Sequence, residues 1–242
     1  MYWKARFSRC IYQKNQVYIF QNWRYRWLAF ESMTIQTLIH RRRPERIELN
    51  YIEALILPAR YRPGETCVLG LGGAGVMHAL APFYQDMPCL AIEQNPTVIE
   101  AAHAYFFLEK LNFLHVEQAE AYTYLASNNS KFDHLLVDIF NATTFPEHCN
   151  SFDFVALCQK NLKSGGVLAV NFANIQAQMP LVQALKQCFQ REILFVSLPH
   201  TTNLIALCFY ETGLQSFLLR LRADRRLHSL SWQPEWGHVA CF

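Results

Sequence analysis

Three carboxylates in this chain stand where an apolar run ends. Glu93 closes "LAIE", Glu120 follows "HVEQA", and Asp138 closes "LLVD". An amide, Asn141, comes three residues after Asp138. A carboxylate can accept two hydrogen bonds from a vicinal diol, cap a helix N-terminus, or take a proton. Asp138 could therefore be a general base, a helix cap or a turn residue. Asn141 can orient a donor group through its carbonyl oxygen but cannot be a base. A fourth signal is "GLGGAG" (70–75), which fits G-x-G-x-x-G. Gly70 and Gly72 would let the backbone turn tightly against a ligand, and Gly75 would allow close helix–strand packing. Glu93 lies about twenty residues beyond that loop, the usual spacing for an acid that holds ribose hydroxyls, and we favour that role. For Glu120, an adenine amine and a helix N-terminus explain the position equally well.

The elements must bring these residues together. Strand patterns fall at 66–71, 88–93, 113–117, 132–138, 166–172, 192–198 and 203–210. Helical patterns fall at 75–85, 96–110, 120–127, 150–163 and 176–189, with Asn95–Pro96 as a cap and first helical position. "SGG" (164–166) would stop the fourth of these helices. Alternation of this kind predicts a doubly wound, seven-stranded, mostly parallel α/β sheet, with ligands beyond the carboxyl ends of its strands. Only "PHTT" (199–202) joins the last two strands, too short for a parallel crossover, so they should be antiparallel. Ahead of the sheet, helical spacing from Leu49 to Ile56 predicts a helix ended by Pro58 and "RPGE". Residues 1–46 carry aromatic and β-branched runs at 16–21, 25–30 and 34–40 and predict a small antiparallel β-domain; residues 47–242 form the second unit. The tail 227–242 shows no clear period.

Bulk composition narrows the class. The chain has 242 residues, 52% hydrophobic and 17% charged, enough for one substantial core and too apolar for a disordered chain. A net charge of +3 gives no reason to expect nucleic acid, and "HRRRPER" (40–46) reads as a solvated loop. Of 8 cysteines, Cys67, Cys89, Cys158, Cys188 and Cys208 lie inside apolar runs, as small hydrophobes do. No ligand spacing predicts a metal site. No stretch is long enough to span a bilayer, so a reducing, cytoplasmic setting is expected. Tyr18, Phe20, Trp23, Tyr25 and Trp27 crowd a small β-domain that cannot bury them all, which suggests an interface.

Taken in order, "ELNYIEALILP", the glycine loop, "LAIEQNPTVIEAAHAYF", "AEAYTYL", "VDIFNATTFPEH" and "LKSGGVLAVNFAN" resemble the spermidine synthase (polyamine aminopropyltransferase) family, in its short bacterial branch. The likeness covers roughly residues 15–210. It implies the fold shared with S-adenosylmethionine-dependent methyltransferases, a homodimer, and transfer of an aminopropyl group from decarboxylated S-adenosylmethionine to a small amine such as putrescine. It further implies that Gln36 and Glu93 hold the donor's ribose. Glu120 and the backbone of Ala121 would meet the base, Tyr51 would sit at the substrate cleft, and Asp138 would be the first acid of D-x-x-D. The chain departs from the family at Gly73, Ile52 and Asn141, where an Asp, a His and a second Asp are usual, and "VSLPHTTNL" lacks the Tyr-Pro segment. The nucleoside half is thus better preserved than the amine half. A methyltransferase using intact S-adenosylmethionine, or a non-catalytic nucleoside-binding homologue, are the alternatives.

Overall fold

The computed structural model describes residues 7–31, 34–84, 86–140 and 144–242. The N-terminal zone is a four-stranded antiparallel meander of β1 (Arg9–Lys14), β2 (Val17–Gln21), β3 (Tyr25–Phe30) and β4 (Ile35–His40). In β2, Val17, Ile19 and Gln21 are buried while Tyr18 and Phe20 are half-buried, the alternation a one-sided sheet requires. The edge strand β1 was not expected from the sequence: "RCIYQK" is largely polar and shows no such alternation. Asn15 and Gln16, at φ 45° and 65°, make the hairpin turn that joins it to β2. Two of the crowded aromatics are not surface residues at all. Tyr25 and Trp27 are 3% and 5% exposed because β3 turns them into the core, whereas Trp23 in the β2–β3 turn is 78% exposed.

The helical stretch after this sheet is two short pieces, α1 (Tyr51–Leu55) and α2 (Leu57–Tyr61). Pro58 does not end the helix. It sits in the first turn of α2, where its missing N–H leaves nothing unpaired, and the helix stops at Arg62 instead. Strands and helices then alternate: β5 (Thr66–Leu69), α3 (Gly75–Leu80), β6 (Cys89–Glu93), α4 (Pro96–Tyr105), β7 (Leu114–Gln118), α5 (Ala121–Ser127), β8 (Phe132–Val137), α6 (Phe152–Lys160), β9 (Leu162–Phe172), α7 (Met179–Phe189), β10 (Ile193–Ser197) and β11 (Leu204–Phe209). Helix α4 starts as expected, with the Asn95 side chain accepting from the Thr97 N–H. Glycines 165 and 166 do not stop α6, which ends before them. They lie inside β9, opposite a register shift between Phe132 and His134 in β8.

The expected seven strands stand in the order β10-β11-β9-β8-β5-β6-β7, and the chain adds α8 (Leu214–Arg222) and a hairpin of β12 (Ser229–Gln233) and β13 (Gly237–Cys241) beyond β10. From β6 and β7 through β5 and β8 to β9 the sheet is parallel; β9–β11 and β10–β11 are antiparallel, as the short link demanded. Successive residues of β5 feed opposite faces: Val68 joins one buried cluster, Cys67 and Leu69 the other. The first cluster also holds Val17, Trp27 and Leu38, so the N-terminal sheet and the α/β sheet share a core. Cys89 is buried in it and Cys67, Cys158 and Cys208 in the other cluster, and burial pushes the Cys89 thiol up to about 12. Among the described residues no helix is long and apolar enough to cross a membrane. The strand order reverses at β5, so a crevice opens between the carboxyl ends of β5 and β8.

Candidate active site

A cavity of about 770 Å³ occupies that crevice, a volume suited to a nucleoside-sized ligand. Gly70, Gly72 and Gly75 line it, as do Glu93, Glu120, Ala121, Asp138, Tyr51 and Gln36. Asn141 lies outside the described residues.

The glycine loop is shaped by close approach. Gly70 has φ +101°, and a Cβ there would stand 2.3 Å from the carbonyl oxygen of Asp138, so two strand ends meet backbone to backbone. Gly72 has φ +51° and faces the Thr37 hydroxyl, which accepts the Gly73 N–H at 2.8 Å. Thr37 belongs to β4, so the N-terminal sheet holds the loop in place. Gly73, where the resemblance led us to look for an acid, backs onto the fully buried Phe106 ring, 2.7 Å from where its Cβ would be.

Glu93 ends β6 with one oxygen turned back to the loop and the other to the residues that follow the strand. One accepts the Leu71 N–H at 3.2 Å and the other the Asn95 N–H at 2.9 Å. Burial raises its pKa despite these bonds. Glu120 is the N-cap of α5. Its carboxylate accepts the N–H groups of Tyr122 and Thr123, both at 2.9 Å, the Thr123 hydroxyl, and His148 at 3.0 Å. Burial pushes it up, but these donors prevail and bring it down to about 2. The capping alternative is thus realised, and Ala121, the first residue of the helix, lines the cavity. Glu120, His148 and Cys149 also bring possible ligand atoms within 4.8 Å of one another, a grouping that the spacing did not suggest. Glu120 also caps the helix, and burial pushes the Cys149 thiol up to about 12.

Among the described residues, Asp138 caps no helix and its carboxylate accepts from no backbone N–H. Its carboxylate accepts the Tyr51 hydroxyl at 2.9 Å and the Asn171 side-chain amide at 2.8 Å. Burial raises its pKa, with the two donors pulling the other way. Burial and the Asp138 charge hold Tyr51 well above the ordinary tyrosine range, so it stays protonated and donates. The chain of bonds continues. Asn171 accepts from Asn203 at 2.8 Å, and Asn203 pairs with the Thr201 hydroxyl at 2.6 Å. Asn171, Asn203 and Thr201 were missed from the sequence. The available signal was a lone amide near the carboxyl end of the apolar run "GVLAVNF", the same place that singled out the acids.

Fold and cleft together define a methyltransferase-like α/β protein with an acid at the switch point. No protein-family model matches the chain. It is similar to the polyamine aminopropyltransferase of Vibrio vulnificus, 27% identical over 177 residues, covering 68% of this chain and 59% of that protein. The match to the polyamine aminopropyltransferase of Chromobacterium violaceum is 27% identical over 207 residues, covering 82% and 78%. The chain thus spans under two thirds of the Vibrio relative, 59% of its length. Among solved structures, a spermidine synthase in complex with the transition state analogue AdoDATO superposes with a TM-score of 0.69 at 18% identity, covering 90% of this chain and 80% of that one. Human methyltransferase-like protein 13 in complex with SAH gives 0.60 at 17% identity, covering 78% and 97%. The resemblance drawn from the motifs is upheld by these relatives and by the shared fold.

Proposed function

We propose that this chain is an aminopropyltransferase that uses decarboxylated S-adenosylmethionine as co-substrate and a small amine as acceptor. Glu93 and Gln36 hold the ribose, and the Ala121 N–H meets the base. Glu120 acts by capping α5 and so fixing that N–H. The acceptor nitrogen attacks the carbon beside the sulfonium. A C–N bond forms as the C–S bond breaks, and its electron pair leaves on sulfur as a neutral thioether. The new ammonium gives up a proton to Asp138. The donor is already activated, so the protein's work is alignment and keeping the amine neutral.

The observation that carries this reading is the Asp138 carboxylate, raised in pKa and held between Tyr51 and Asn171 beside the glycine loop. Its test is Asp138→Asn. Turnover should fall by roughly 100-fold or more, while methylthioadenosine affinity and melting temperature stay near wild type. Retained turnover would remove Asp138 from the chemistry. A methyltransferase is the second reading, because the loop "GLGGAG" carries no acid to repel the carboxylate of intact S-adenosylmethionine. Calorimetric titration with the intact and decarboxylated donors separates the two by which binds more tightly. Failure to bind either, or methylthioadenosine, leaves the non-catalytic homologue. We further propose a homodimer in a reducing, cytoplasmic setting. The exposed Trp23 and the half-buried, stacked Tyr18 and Phe20 support an interface. Light scattering showing a monomer at micromolar concentration would count against the dimer.

A further inference from the structure

We infer that Glu120, His148 and Cys149 form a zinc site that ties two pieces of the cavity wall together. The site is independent of donor and acceptor and goes beyond the transferase reading. Among the described residues this is the one group of metal-ligating side chains that gathers three ligand atoms, all within 4.8 Å of one another.

Oε1 of Glu120 is the meeting point. His148 Nε2 stands 3.0 Å from it and Cys149 Sγ 3.9 Å. Ligand atoms bound to tetrahedral zinc at about 2.0–2.3 Å lie roughly 3.3–3.6 Å from one another. The two measured separations fall on either side of that value. The surroundings already aim the ligands. The N–H groups of Tyr122 and Thr123 orient the carboxylate, and the Ser151 hydroxyl donates to the His148 carbonyl at 2.8 Å, bracing the turn. Outer bonds of this kind hold metal ligands in place. Cys149 is fully buried while His148 is exposed, so an ion enters from solvent on the imidazole side.

The chemistry of the three groups suits zinc. Glu120 is ionised at neutral pH, and an ionised carboxylate only accepts, so Nε2 and Sγ both turn a proton toward one oxygen. A divalent cation takes the place of both. The thiol proton goes to solvent and the imidazole proton moves to Nδ1. What remains is a thiolate, a neutral imidazole and a carboxylate, whose two negative charges balance the ion. Zinc takes all three ligand types, whereas magnesium and calcium prefer oxygen alone. Three protein ligands leave the fourth position to water, so the ion exchanges. Bound, it fastens the turn Glu147–Cys149 to the start of α5, and Glu147, Glu120 and Ala121 all line the cavity.

The test uses the full chain stripped by a chelator, with zinc chloride in calorimetry and cobalt(II) as a coloured stand-in. Expected are one zinc per chain at micromolar concentration, no binding of magnesium there, and a thiolate-to-cobalt charge-transfer band in the near ultraviolet. Cys149→Ser should abolish the band and weaken zinc by roughly 100-fold or more, beyond the loss of an outer partner. His148→Gln, at an exposed position, should weaken zinc by a similar factor and decides the matter if the buried serine prevents folding. Cys10→Ser removes an exposed thiol and should change nothing. A chain that binds no zinc overturns the inference. So does zinc affinity that is unchanged in a folded Cys149→Ser or His148→Gln chain, or lost in Cys10→Ser.

Discussion

Asp138 binds its proton more tightly than a solvated aspartate because burial disfavours the charged form, and Tyr51 and Asn171 only partly offset that. A base works deprotonated, so the acidic limb of the kcat/KM profile should lie above the ordinary aspartate value of 3.8. Asn171→Ala removes one donor to the charged form. The pKa should climb further and the limb move to higher pH, with methylthioadenosine affinity unchanged; a limb that stays put would make the amide a packing residue only. Glu93→Ala should weaken methylthioadenosine binding by about 2–4 kcal/mol, the scale of two charge-assisted bonds. Unchanged affinity in the folded variant would place the ribose elsewhere. The acids of this site were legible because a carboxylate at the end of an apolar run stands out. Asn171 was not, since an amide inside "LAVNF" reads as a tolerated core residue. Its importance comes from β9 and β8 running side by side, which no local pattern records.

Helix α5 and the glycine loop show what an element asks of one residue. Glu120 titrates near 2 in the folded chain and near 4.5 without its partners. Between those values the unfolded chain holds the proton and the folded one does not. Its stabilisation is therefore complete above pH 4.5 and lost as pH falls toward 2. Glu120→Gln should lower stability to chemical denaturation at neutral pH, and the gap to wild type should close in acid. A gap independent of pH would mean the charge is not what caps the helix. In the loop, Gly73→Ala drives a methyl group into Phe106 and should cost about 1–3 kcal/mol. Phe106→Leu in the same chain should recover part of that cost, a coupling that a double-mutant cycle measures. The interior strands were readable because their apolar runs are continuous and punctuated by glycine, proline and asparagine. Helix α8 and the hairpin β12–β13 were not. "GHVAC" gains its place by meeting β10, a partner far away in sequence, and "SLSWQ" by pairing with "GHVAC".

At the scale of the molecule, the buried cluster that includes Val17 and Trp27 continues through Ile52 to Val68 and Leu136. We place the boundary between the two sequence units at residue 46, yet a core common to both should make them unfold together. Calorimetry should give a single endotherm with matching van't Hoff and calorimetric enthalpies; two resolved endotherms would mean that the sheets are held independently. The hairpin also sets an order of events during synthesis. Strand β13 covers one edge of β10, but α8 and β12 must be translated between them. A nascent chain on the ribosome therefore carries "ILFVS" with one side unpaired while the next stretch is being made. A bare apolar strand edge is a template for other chains, and such transient species are the ones chaperones intercept. Slower elongation between α8 and β13 prolongs that interval, so the yield of folded protein should depend on translation speed there even when the finished sequence is unchanged.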